Sequence, residues 1–160
     1  MSYDVIEEQK NYKEVLLMVH YEKQYETTSI NTGGRNGKSY LEDGTYSVNI
    51  TPPGSKRDGA NPEELFALGY SACFHAALQA VKDEEKVKNP SIVRHTVSYL
   101  HDPDNNLDIK LQVEIKVGIE GLNDEDAMDL VKKAHQICPY SRAIQNGHID
   151  VSLKIVPYEE

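Results

Sequence analysis

Two cysteines, Cys73 and Cys138, carry the reactive side chains of this sequence. Cys73 lies in "NPEELFALGYSACFHAAL" (61–78), an almost wholly apolar stretch that opens on two carboxylates. Cys138 closes "LNDEDAMDLVKKAHQIC" (122–138), directly before Pro139. Helical spacing puts Cys73 on the stripe of Leu65, Gly69, Ala72 and Ala76, and Cys138 on that of Leu130, Ala134 and Ile137. Both thiols therefore point toward apolar interior. Gly69, Ala72, Ala76 and Ala77 are small and leave room beside Cys73. Such a pair is open to three readings. Two inert core residues are possible, because a buried thiol behaves as a small hydrophobe. A zinc site with His75 and His135 is the second, but Cys73 and His75 stand two apart, about 200° round a helix, and cannot share a metal without a break. The third is a reversible disulfide. In a reducing compartment a permanent staple is not expected, so any pairing is transient and catalytic.

A reactive thiol needs more than burial, which favours the neutral form. Arginine is the suitable partner, since it stays charged when buried and offers a fork of donors, and a buried arginine in turn wants a carboxylate. Arg35, between glycines in "GGRNG", and Glu63, at the head of the Cys73 helix, are the candidates. Each also has a plainer reading, Arg35 as a solvated turn residue and Glu63 as a partner of the helix dipole.

The elements that must position these groups follow from periodicity. Residues 12–21 and 24–31 read as strands, 32–37 as a glycine-rich turn, 42–50 as an Asp-Gly turn followed by a strand, and 51–60 as a loop. Asn61 and Pro62 start a helix, as N-cap and first helical residue. That helix is apolar nearly all round, with Ser71, His75, Gln79 and Lys82 as a thin polar edge, which predicts burial in the middle of the protein. His75, on that edge, faces away from Cys73. A strand at 93–101, a turn at 102–106 and a long alternating strand at 107–119 come next. Asn123 caps a second helix, with Asp126 placed to complete a capping box, and Pro139 ends it. Residues 149–156 alternate as a last strand. The order predicts one α+β domain over 1–160 with mainly antiparallel sheet.

Composition excludes several classes. The chain has 160 residues, 39% apolar and 27% charged, which predicts a globular domain rather than a disordered chain. A net charge of −9 without a basic run argues against nucleic acid as a partner. No apolar run approaches the roughly 20 residues that span a bilayer, and the N-terminus lacks the order of a signal peptide, so a cytoplasmic location without membrane contact is expected.

Three segments, "GGRNG", "NPEELFALGYSACFHAAL" and "AHQICPYSRAIQNGHIDVSL", resemble in order and spacing the OsmC/Ohr family, and the tyrosine of "CPYSRA" resembles its organic hydroperoxide resistance (Ohr) branch. The resemblance runs from about residue 25 to 156, with 1–24 an N-terminal extension beyond the usual family start. It implies an intertwined homodimer in which an antiparallel sheet wraps long central helices. It implies a thiol-dependent peroxidase that reduces organic hydroperoxides to alcohols without metal, haem or other cofactor. By motif position Cys73 is the peroxidatic cysteine, Cys138 the resolving one, and Arg35 with Glu63 the thiolate-activating pair. The implied reductant is a dithiol on a lipoylated protein. His75 departs from the family pattern, which more often has an apolar or small residue there. Phe66, Tyr70, Phe74 and Ile137 are expected to line the substrate pocket. A disulfide reductase or isomerase is a weaker reading, as no Cys-x-x-Cys is present, and a redox sensor relaying oxidation to a partner protein is the alternative outside enzymes.

Overall fold

The computed structural model describes residues 20–147, 151–154 and 157. Strands β1 (Ser29–Thr32), β2 (Lys38–Leu41) and β3 (Ser47–Asn49) form an antiparallel sheet in that order, with Ile30 opposite Tyr40 and Tyr40 opposite Ser47. Gly33 and Gly34 stand at φ 78° and 56°, so the chain between β1 and β2 folds into a tight turn with a 3₁₀ segment, Gly34–Asn36, that carries Arg35 outward. The Asp-Gly turn joins β2 to β3 as the sequence predicts, with Gly44 at φ 76°.

Helix α1 (Pro62–Glu84) is unbroken over 23 residues. Its start is a reciprocal capping box: Asn61 Oδ1 accepts the Glu64 N–H at 2.8 Å, and Glu64 Oε2 accepts the Asn61 N–H at 2.8 Å. The two carboxylates at the head of the helix thus have different tasks. Glu64 is committed to the cap, while Glu63 is left to turn elsewhere. The helix buries Tyr70, Phe74, Ala77, Leu78 and Val81. Phe74 and Leu78 have no exposed surface, and burying each contributes about 1.5–3 kcal/mol.

Strands β4 (Ser91–Asp102) and β5 (Asn105–Ile119) make a long antiparallel hairpin, Val97 facing Val113 and Val93 facing Val117. Its turn is tighter than the sequence predicts. Residues 103–104 suffice, with a register irregularity at His101 and Asp102 and the Asp104 N–H held by Asp102 Oδ1 at 2.9 Å. Helix α2 (Asp124–Ile137) starts at Asn123, which accepts the Asp126 N–H at 2.9 Å. The expected capping box is only half made, because the Asp126 carboxylate takes the Asn123 side-chain amide instead of its backbone. Cys138, at φ −62° and ψ 122°, leaves the helix because Pro139 follows, and Pro139 then opens a further helix, α3 (Pro139–Asn146), absent from the sequence expectation.

Four other expectations change. Residues 24–28 carry no strand, and pairing begins only at Ser29; 12–19 lie outside the described residues. Of the last strand, 151–154 are described and carry no strand, and 149–150 and 155–156 lie outside the description. Helix α1 is not covered all round within one chain: Leu68 is 66% exposed, and Ala72 and Ala76 are exposed beside it. Leu107, at the far end of β5, is 91% exposed on the face that alternation marks as apolar. The class itself is as expected, α+β with antiparallel sheets.

Candidate active site

Packing of α2 and α3 on α1 brings the two cysteines together. Cys138, with no exposed surface, sits in the corner between α2 and α3, and its sulfur lies 3.7 Å from that of the partly buried Cys73. Both are free thiols in contact, short of the roughly 2.05 Å of a disulfide. Burial pushes the Cys73 thiol up, and Cys138 adds to the rise. One group opposes it: the backbone N–H of Tyr140, in the first turn of α3, donates to the Cys73 sulfur. Cys138 is the N-cap residue of α3 but makes no capping bond with its side chain, so the first-turn N–H groups are open to another acceptor.

Above the thiols stands an aromatic wall. Phe66 and Tyr70 have ring centres 5.8 Å apart, and Tyr140 stacks near both, at 6.3 and 5.7 Å. Gly69 makes this possible. A Cβ there would stand 3.1 Å from the Tyr140 hydroxyl, so the space left by the small residue is occupied by Tyr140 rather than left open beside Cys73. Sequence reasoning missed Tyr140 as a wall residue; the glycine one turn before Cys73 was the available signal. Of the other expected lining residues, Phe74 belongs to the core, with its ring 5.5 Å from His95 and 6.3 Å from His135, and Ile137 turns outward, half exposed.

Arg35 and Glu63 meet as a two-pronged pair, Nη1 to Oε2 at 3.0 Å and Nη2 to Oε1 at 2.5 Å. The guanidinium also lies over the Tyr99 ring, 5.3 Å from its centre. Its hydrogen bonds hold the Glu63 carboxyl below the usual carboxylate range and raise the guanidinium in turn. A cleft of about 450 Å³ opens beside this pair, lined by Glu63, Ala67, His95, Val97 and Tyr99 among others, and neither cysteine borders it. His95 forms the partition: its ring nitrogens are buried without a hydrogen-bond partner, and its edge meets Tyr70 at 4.6 Å. The thiol pair and the Arg35–Glu63 pair are therefore separate within the chain. Glu63 precedes Cys73 by ten residues of unbroken helix, roughly 15 Å of rise, and Arg35 is not among the groups that act on the Cys73 thiol.

His75 faces β4, with Nε2 3.0 Å from Ser91 Oγ, an oxygen that also accepts from Lys82 Nζ at 3.0 Å. His135 is engaged by Ser141. The four side chains of the zinc alternative are thus not gathered, and among the described residues no cluster of His, Cys, Asp or Glu is placed to hold a metal. No helix among the described residues is long and apolar enough to cross a membrane.

Facing thiols on a long helix and an interhelical corner, flanked by antiparallel sheets, define an α+β protein built around a cysteine pair. The family profile described as OsmC-like protein matches residues 54–154. "Organic hydroperoxide resistance protein-like 2" of Staphylococcus epidermidis is 42% identical over 137 residues, covering 82% of this chain and 94% of the relative. "Organic hydroperoxide resistance protein OhrA" of Bacillus subtilis is 42% identical over 128 residues, covering 77% and 89%. The crystal structure of the organic hydroperoxide resistance protein OhrB of Bacillus subtilis superposes with a TM-score of 0.70 at 35% identity, covering 82% of this chain and 98% of that one. The chain belongs to the OsmC family, in its organic hydroperoxide resistance branch.

Proposed function

We propose that this protein is a cysteine-based peroxidase that reduces organic hydroperoxides to alcohols and is recycled by an external dithiol. The observation that carries the reading is the 3.7 Å contact between Cys73 and Cys138, in a family whose named relatives confer organic hydroperoxide resistance. The Cys73 thiolate attacks the peroxide O–O bond. The bond breaks, the alkoxide leaves and takes up a proton as the alcohol, and Cys73 becomes a sulfenic acid. The Cys138 sulfur then attacks the Cys73 sulfur, its proton leaves with the sulfenic hydroxyl as water, and the disulfide forms. A dithiol, in this reading that of a lipoylated protein, restores both thiols by exchange.

Arg35 and Glu63 enter this scheme from a second copy of the chain. Within one chain burial raises the thiol, and the Arg35 side chain, half exposed beside an open cleft, is not among the groups that act on it. The uncovered apolar faces of α1, at Leu68, Ala72 and Ala76, and of β5, at Leu107, are surfaces that a two-fold partner would bury. In the homodimer so formed, the guanidinium of one protomer stabilises the Cys73 thiolate of the other, Glu63 orients it, and Phe66, Tyr70 and Tyr140 offer apolar surface to the alkyl group. Peroxide consumption tests the reading. Wild-type protein with excess dithiol should turn over an alkyl hydroperoxide many times and much faster than hydrogen peroxide. A single stoichiometric oxidation without turnover would instead mark the chain as a redox sensor.

A further inference from the structure

We propose that Ser141, gripped between Tyr70 and His135, is the positioning residue of the thiol pair: it pins the first turn of α3 to α1 and so fixes the Cys138 sulfur against Cys73. The proposal rests on Cys73 and Cys138 being a redox couple. Tyr70 Oη lies 2.8 Å from Ser141 Oγ, and His135 Nδ1 lies 2.9 Å from the same oxygen. Ser141 has no exposed surface and Tyr70 only 2%, so water does not stand in for the bond between them. Each of the three residues stands three positions from a cysteine: Tyr70 before Cys73, His135 before Cys138 and Ser141 after it. His135 is tied onward to the side-chain amide of Gln145, near the end of α3. One hydroxyl thereby joins the helix of Cys73, the helix before Cys138 and the helix after it.

A hydroxyl can accept and donate at once, so Ser141 can accept from the Tyr70 phenol while it is bonded to His135 Nδ1. Removing the Ser141 oxygen leaves a buried phenol without an acceptor and frees the corner that carries Cys138. Two functions depend on that corner. The sulfurs must close from 3.7 Å to about 2.05 Å, a short step only while the corner is held. The Tyr140 N–H must stay on the Cys73 sulfur, where the N-terminal end of α3 favours negative charge.

The test uses the full-length protein and no peroxide, so that it stands apart from the peroxidase reading. The equilibrium of the Cys73–Cys138 disulfide against glutathione and the alkylation rate of Cys73 against pH are measured in wild type, Ser141→Ala, Tyr70→Phe, the double variant, His135→Ala and His135→Asn. Ser141→Ala and Tyr70→Phe should each lower the disulfide equilibrium constant about tenfold and slow alkylation at neutral pH, the scale of one lost bond between buried partners. The double variant should be no worse than Ser141→Ala, because both remove the same link. His135→Asn, which keeps a hydrogen-bonding group near the Nδ1 position, should recover most of what His135→Ala loses. Folded variants that keep both readouts within about twofold of wild type overturn the proposal, as does strict additivity of Tyr70→Phe and Ser141→Ala. If Ser141→Ala does not fold, Tyr70→Phe and the His135 pair decide.

Discussion

Arg35→Met separates a site assembled within one chain from one assembled across two. Helix α1 runs without a break from Pro62 to Glu84, so Glu63 and Cys73 are roughly 15 Å apart along its axis. Arg35 is held at the Glu63 end by a two-pronged bond at 3.0 and 2.5 Å and by the Tyr99 ring. At physiological ionic strength that separation is about two Debye lengths of roughly 8 Å, so a charge there hardly acts on its own thiol. Across a two-fold axis the same guanidinium can stand in contact with the partner's sulfur, where an opposite charge within about 4–6 Å moves a titration by roughly one unit or more. The two arrangements therefore differ by about tenfold or more in the thiolate fraction at neutral pH. Alkylation of Cys73 in a Cys138→Ser background, followed against pH, reads that fraction. Arg35→Met should slow alkylation at neutral pH by at least about tenfold, and Arg35→Lys should recover only part, because a point charge does not bridge a thiolate and Glu63 in one plane.

Mixed dimers complete the test. A Cys73→Ser chain supplies Arg35, and an Arg35→Met chain supplies Cys73, so a heterodimer holds one intact composite site and should show about half of wild-type activity. Verified heterodimers without activity, or an alkylation profile that Arg35→Met leaves unchanged, refute the reasoning.

Other outcomes follow from the same geometry. Cys73→Ser should abolish peroxide reduction, whereas Cys138→Ser should allow one oxidation of Cys73 and then stall and over-oxidise; single-turnover rates and the mass of the sulfinic product check this. With an apolar wall of Phe66, Tyr70 and Tyr140, kcat/KM should rise with alkyl length over the first few carbons, by up to about fourfold per CH₂ at about 0.8 kcal/mol each, and a flat series counts against the wall. Phe74→Ala, at a position with no exposed surface, should cost about 3–5 kcal/mol in urea unfolding. Because Arg35 depresses Glu63 below its ordinary value of 4.5, the pair stabilises the fold above that pH and the contribution fades as pH falls through the lower folded value; Glu63→Gln should unfold like wild type in strong acid and more easily near neutrality.

What the sequence disclosed and what it withheld divide along the range of the interactions. Asn61 and Pro62 start α1, Pro139 ends α2, and the alternation of β5 appears as predicted from Val113 to Ile119, because each depends on neighbours within a few residues. The division of labour between Glu63 and Glu64 was half legible: both suit the dipole, but only the capping box explains why Glu64 is fixed and Glu63 is free for a residue 28 positions away. Helix α3 is not legible in advance because its eight residues span barely two turns and follow a proline that reads as a stop. The pairing of Gly69 with Tyr140 and the bond of Tyr70 to Ser141, 71 residues apart, are tertiary facts without a local pattern. The exposure of Leu68 and Leu107 is of another kind. Apolar periodicity reports which faces avoid water in the assembled protein and not which part covers them, so a helix that reads as buried all round can show an open face in a single chain. The mismatch is itself informative, because the bare face of α1 lies on the same helix that keeps Glu63 from its own Cys73, and one partner chain would resolve both.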